Sequence, residues 1–291
     1  MRLVTASVAA LLLVTGGPAG AAFRGHNGLI AFTGSTYANG DVTAVSIGAV
    51  AQKGGAEQTL VNNAGDPAWS PNGKHLAFDS KRARELHVYL ADATGANAHQ
   101  LTSGRTNEHD PAWSPDGKRL IFVRDTDFGS AIYVVNADGS RLRKVFDDGT
   151  HAEWPAWSPS GKWIAFELET GRHGDLNPCL VRPSGRDFRQ ITHNTAGDEG
   201  PPSWSPDGTR LVFTRGYDHI FVLTLRTKRQ RLLVAGQSPV WSPDGTTIAF
   251  TRADLDTLAG TIYLARPNGR NVRQLATLST GVGDLDWQAL P

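Results

Sequence analysis

The sequence predicts an all-β fold, a six-bladed β-propeller of four-stranded antiparallel blades, and three observations carry that prediction. Five Trp-Ser-Pro tripeptides begin at Trp69, Trp113, Trp157, Trp204 and Trp241, at intervals of 44, 44, 47 and 37 residues. Each is followed by Gly four residues on (Gly73, Gly117, Gly161, Gly208, Gly245) and by Phe nine residues on (Phe78, Phe122, Phe166, Phe213, Phe250). No segment carries the apolar period of an amphipathic helix. A fixed period of roughly 20–50 residues marks stacked units rather than ordinary domains. Residues 23–291 divided by a period near about 45 give six such units.

The chain opens with Arg2, the apolar run Leu3 to Val14 and then Gly-Gly-Pro-Ala-Gly-Ala-Ala, a secretory signal with small residues before a cut after Ala21 or Ala22. The run falls short of the ~20 apolar residues that span a bilayer, so no membrane span is expected. Residues 1–22 are read as the signal and 23–291 as the propeller. With Arg2 removed, Lys and Arg balance the 28 Asp and Glu. A polyanion binder driven by overall charge, and with it a nucleic-acid partner, is not expected.

Each repeat reads as four short strands. Pro-Ala-Trp-Ser forms the first, and Ser-Pro-Asp-Gly makes a tight turn with Pro where φ is near −65° and Gly where φ turns positive. Arg119 to Val123 is a second strand, apolar at consecutive positions and so covered on both faces. Ala131 to Val135 and Leu142 to Phe146 supply the third and fourth. Such a unit buries its faces only against copies of itself, and radial closure achieves this. The Pro two residues before each Trp suits the innermost strand, whose inner edge faces a channel.

The sixth unit is split across the termini. Leu285-Asp-Trp287-Gln lies 46 residues after Trp241 and has the Trp without the turn; Asn27 to Phe32 has the Gly and Phe without the Trp. The C-terminal strand is therefore expected to complete the N-terminal blade, which hides both edges. Trp69, Trp113, Trp157, Trp204, Trp241 and Trp287 are its structural repeat positions. Cys179 is the only cysteine, so no internal disulfide forms; it aligns with Tyr89, Tyr133 and Tyr263 as a small strand filler.

Turns of an antiparallel blade alternate between two rims, so the links between blades share one. Those links hold Asp66, Glu108, Asp110, Glu153, Asp198, Glu199 and Asp284 against Arg105, whereas the outer-hairpin turns hold Arg141, Arg143, Lys144, Arg226, Lys228 and Arg229. An acidic funnel of this kind steers a basic partner or a cation. Four residues before each Trp stand Gly65, His109, Glu153, Gly200, Gln237 and Gly283, a ring expected at the channel mouth, with His151 beside it. Oxygen and imidazole ligands there suit a divalent ion, although no metal site, cofactor or catalytic residue is assigned. There is no G-x-S-x-G, H-E-x-x-H, C-x-x-C or Walker loop.

The phrase Asp110-Pro-Ala-Trp-Ser-Pro-Asp-Gly-Lys-Arg-Leu-Ile-Phe122, recognisable in all five copies, resembles the TolB-like propeller repeats. The resemblance implies an exported, non-catalytic module that binds protein, or a small ligand, across one face of the disc; a monomer is expected, with an envelope or extracellular protein as partner and the acidic mouth suited to a cation. Its periplasmic or extracellular setting follows from the leader. Two departures stand out: Trp154 replaces the repeat's Asp, and Pro201-Pro-Ser has lost both Asp and Ala. The rival expectation is a metal-dependent sugar lyase or hydrolase with its site in the central channel.

Overall fold

The structure, a computed structural model, describes residues 23–38, 41–170, 175–193, 199–253 and 259–291. The signal read at residues 1–22, and the candidate residue Asp198, lie outside the described residues. The described residues form six four-stranded antiparallel sheets and no helix. No helix among them is long and apolar enough to cross a membrane.

Blade 3 shows how the repeat works. Its strands are Glu108–Trp113, Arg119–Asp125, Ser130–Asn136 and Arg143–Phe146. In the turn after the first strand, the Gly117 N–H donates to the Ser114 carbonyl at 2.9 Å, with Gly117 at φ 66°. Ser114 Oγ donates to Asp116 Oδ1 at 2.6 Å and receives the Arg119 N–H at 3.0 Å. The Lys118 N–H reaches Asp116 Oδ1 at 3.1 Å. Ser, Asp and Gly are thus each used by a turn that satisfies its own backbone, which is why Ser-Pro-Asp-Gly recurs in blades 3, 5 and 6. The same Ser–Asp bond holds the turns of blades 5 and 6, at 2.6 Å in each.

The inner strands are bulged. In blade 2 Gly65 pairs with Asp79 and Ala68 with Ala77, so three steps on one strand face two on the other. The same one-residue excess recurs between His109 and Ala112, Glu153 and Ala156, and Gln237 and Val240. In five of the six blades the bulged residue, three before the Trp, takes the left-handed conformation: φ is 49° at Asp66, 52° at Asp110, 48° at Trp154, 46° at Ser238 and 45° at Asp284, whereas Pro201 holds that place before Trp204. Asp tolerates this region better than most residues, and the following Pro has no N–H to waste in a disrupted ladder.

Packing between blades rests on the repeat aromatics. All six repeat tryptophans are buried. The second-strand Phe stacks on a third-strand ring, as in Phe78–Tyr89 at 5.8 Å and Phe122–Tyr133 at 6.0 Å between centroids. In blade 4 that partner is Cys179, and Phe146 and Phe188 close over Phe166 instead, at 4.8 and 6.3 Å. Burial pushes the Cys179 thiol up, as expected of a filler rather than a nucleophile. In blade 1 Gly48 stands opposite Phe32, where any Cβ would run into the ring.

Closure follows the split repeat. Gly281–Leu290 is the inner strand of the sheet that continues through His26–Ala38, Asp41–Ala51 and Gln58–Asn62. Its register places His26 opposite Leu290, Ile30 opposite Trp287 and Thr33 opposite Gly283.

Candidate functional site

The bulges lie where the inner strands enter from the inter-blade rim, in five of the six blades. Asp284, Asp66 and Asp110 come from consecutive blades 1, 2 and 3 in the same backbone conformation. Burial, followed by repulsion from Asp79, Asp284 and Asp110, holds the Asp66 carboxyl well above the usual carboxylate range. Asp79 reaches the same place from the second strand of blade 2 and shares a hydrogen bond with Asp66. Burial lifts Asp79 to about 6, against the pull of that hydrogen bond. Two carboxyls this close cannot both ionise cheaply, so the pair holds one proton between them.

His109 stands next to this group with both ring nitrogens engaged. Nδ1 lies 3.2 Å from Asp110 Oδ2, and Nε2 lies 3.2 Å from Asp125 Oδ1. Burial opposes the imidazole's charge, but Asp110, Asp125 and Glu153 outweigh it and raise its pKa well above the ordinary value. A histidine bracketed in this way is an imidazolium with two donors, and it lowers Asp125 in return. Glu153, from blade 4, is raised by burial and by Asp110, and accepts a hydrogen bond from Ser130 Oγ at 2.7 Å. His151 Nδ1 is 3.7 Å from Glu153 and its side chain is mostly exposed. One ligand atom each from His109, Asp110 and Glu153 falls within 4.8 Å of the others.

The structure thus brings together Asp66, His109, Asp110, Glu153 and Asp284, with His151 at the margin. Glu108 and Glu199 do not join them, which corrects their assignment to the acidic rim. Both are buried in or beside inner strands. Glu108 accepts from Arg124 Nε at 2.9 Å and faces His87 Nδ1 at 2.9 Å. Glu199 accepts from Arg215 Nε at 2.6 Å, and Arg215 also donates to Gln230. Arg124 and Arg215 in turn lie over Tyr133 and Phe221, at 4.5 and 4.3 Å from the ring centroids. A carboxylate five residues before the Trp is neutralised from the second strand, so it pins two strands together instead of meeting solvent.

The contrast between rims is also smaller than the links alone predict. Turns between second and third strands share the inter-blade rim and add Lys81, Arg82 and Arg84 to it. The Ser-Pro-Asp-Gly turns add Asp116, Asp207 and Asp244 to the other rim. Negative charge is therefore concentrated at the channel mouth rather than spread over a whole face. The sequence reading missed Asp79, Asp125, Ser238 and Thr214. Asp79 and Thr214 stand ten residues after their Trp, an offset that could have found them.

Comparison with known proteins bears on the fold. Residues 29–215 match the family described as the TolB beta propeller domain. No curated protein matches the chain in sequence. Among solved structures, TolB from Acinetobacter baumannii is similar at 20% identity and a TM-score of 0.78, over 90% of this chain and 67% of that one. The nidogen/laminin complex matches at 12% identity and 0.71, over 90% of this chain and 98% of that chain. An oligogalacturonate lyase in complex with manganese matches at 14% and 0.58, over 81% and 72%. Likenesses this distant speak to fold alone, since one fold hosts many activities. The repeat, the six closed blades and the family match over residues 29–215 together place this chain in the TolB β-propeller family.

Proposed function

We propose that this chain is an exported, non-catalytic, monomeric binding module that engages a basic protein partner of the cell envelope or extracellular space at its channel mouth. The observation that carries the reading is the convergence of Asp284, Asp66 and Asp110 from three consecutive blades on one cluster at the inter-blade end of the inner strands. Clustered like charges in a concave, partly buried mouth raise the local potential and steer a partner of opposite sign. On the same rim Phe128 and Tyr217, 87% and 76% exposed, offer the large apolar side chains that interface centres favour.

Polylysine is the simplest probe. It is expected to bind, polyglutamate is not, and the Asp66→Asn, Asp110→Asn, Asp284→Asn triple variant is expected to bind at least about tenfold more weakly, with the difference shrinking in high salt. An affinity that the triple variant leaves unchanged excludes the mouth as the docking face. Export is checked by N-terminal sequencing of secreted protein, which is expected to begin at Ala22 or Phe23.

A channel-centred sugar lyase or hydrolase that uses a divalent cation is the second reading, favoured by the proximity of His109, Asp110 and Glu153. Such an ion would take the His109 imidazole as a neutral ligand, and the two flanking carboxylates oppose that. This reading expects stoichiometric manganese in protein purified without a histidine tag and sugar turnover lost on His109→Ala. The binding module expects neither.

A further inference from the structure

We propose that the mouth is a blind cup for one primary ammonium group, presented by a lysine side chain of the partner. The inference rests on the mouth being the docking face and adds the chemistry of the group that enters it.

Phe23 supplies the floor of the proposed cup. Phe23 is 8% exposed and belongs to the apolar cluster that contains Ala68 of blade 2, Trp113 of blade 3, Trp157 of blade 4 and Ala289 of blade 1. Its neighbour Arg24 donates from Nε to the Pro206 carbonyl of blade 5 at 3.2 Å. Asn27 exchanges two hydrogen bonds with Asp244 of blade 6, at 2.9 and 3.1 Å. In the proposed cup this buried ring, whose cluster draws on four blades and whose segment is tied to the other two, forms the floor on the rim opposite the carboxylates. A cup so floored admits a single side chain rather than a threaded chain.

The lining is short of donors. Ser238 occupies the same bulge position as Asp66, Asp110 and Asp284, with the same left-handed backbone, and so directs its Cβ the same way. It is 7% exposed, and its Oγ has no hydrogen-bond partner. Thr214, at the strand position that Asp79 fills in blade 2, is also 7% exposed with its Oγ1 unpartnered. Buried hydroxyls are normally satisfied, and two without partners at the positions that Asp66 and Asp79 fill in blade 2 mark room for a ligand that donates.

Geometry selects ammonium over guanidinium. The acceptors are spread around an axis, one per blade, and a tetrahedral –NH₃⁺ directs three donors to three sides. A planar guanidinium prefers a single carboxylate, as Arg124 and Arg215 show when each turns Nε and an Nη onto one oxygen of Glu108 and Glu199.

Three capped pentapeptides, Gly-Gly-X-Gly-Gly with X as lysine, arginine or acetyl-lysine, are titrated by NMR into the full chain. The lysine peptide is expected to bind at least tenfold more tightly than the arginine peptide, and the acetyl-lysine peptide not to bind. Ser238→Ala and Thr214→Val, checked for an unchanged melting temperature, are expected to weaken the lysine peptide severalfold each while changing the weaker arginine peptide little. Equal binding of lysine and arginine peptides, indifference to both substitutions, or calcium binding without lysine binding overturns the ammonium cup. If polylysine binding also survives the triple Asn variant, the docking face itself is wrong.

Discussion

Removing Asp284–Pro291 is expected to abolish the cooperative native transition or lower its midpoint by about 10 °C or more. The deleted residues are the core-bearing part of the inner strand of blade 1, and they bury Leu285, Trp287 and Ala289. Losing a buried Trp alone costs about 3–5 kcal/mol, and a buried Leu adds roughly 1.5–3. Backbone partners of His26, Asn27, Ile30 and Ala31 are lost as well, which opens an edge to aggregation. Against a total stability of about 5–15 kcal/mol, little remains to hold the ring shut. A milder variant, Trp287→Ala, gives the graded version, because about 1 kcal/mol moves the midpoint of a domain this size by roughly 2–4 °C. Thermal melts by circular dichroism decide it. A truncated chain that melts as sharply and as late as the intact one shows that the shared sheet contributes nothing to closure.

Much of this architecture was legible because the chain repeats itself. Six comparable phrases, one of them cut between Leu285–Trp287 and Asn27–Phe32, specify blade number, strand order and the place of closure before any side chain is placed. The mouth was legible in part, since the offset of four residues before each Trp picked out His109 and Glu153 and the charge of the inter-blade links picked out Asp66, Asp110 and Asp284. What failed was the assumption that acidic residues near a link lie on the surface. The inner strands begin earlier than Pro-Ala-Trp indicates, so Glu108 lies inside a strand and pairs across it with Arg124. Glu199 meets Arg215 through an isolated bridge of the same kind. Only blades 3 and 5 combine Glu five residues before the Trp with Arg eleven after it, and that pairing was the available signal. The state of His109 was beyond sequence reading, because it depends on Asp125, which belongs to a different strand.

Stability is expected to fall as pH rises from about 4 to about 7, and Asp286→Asn is expected to remove a large part of that slope. Asp286 is buried one residue before Trp287, and burial pushes its carboxyl up to about 7, although the Trp69 N–H donates to its Oδ2 at 2.6 Å. In the unfolded chain the group titrates near about 3.9. Below that value both states hold the proton and nothing is gained or lost. Between the two values the unfolded chain releases its proton while the folded chain keeps it, so each pH unit costs about 1.4 kcal/mol and the sum is on the order of 4 kcal/mol. Asp79, raised to about 6, acts in the same direction over the same window, and the raised Asp66 acts in the same direction. His109 does too, because its raised folded pKa contributes stability that is lost as pH climbs through it. Asp125, lowered by His109, works the opposite way, as stability gained above the unfolded value. Urea denaturation at pH 5, 6, 7 and 8 is expected to show the decline in the parent and a flatter, higher curve in Asp286→Asn, whose side-chain oxygen still accepts the Trp69 N–H. A parent profile without slope, or a variant weaker at every pH, contradicts this account. Ser203 receives the Trp241 N–H at the matching position of blade 5 with a neutral hydroxyl at 3.4 Å. The seam bond therefore does not require a carboxyl, and the acid at position 286 ties the closing strand to blade 2 most firmly where it remains protonated.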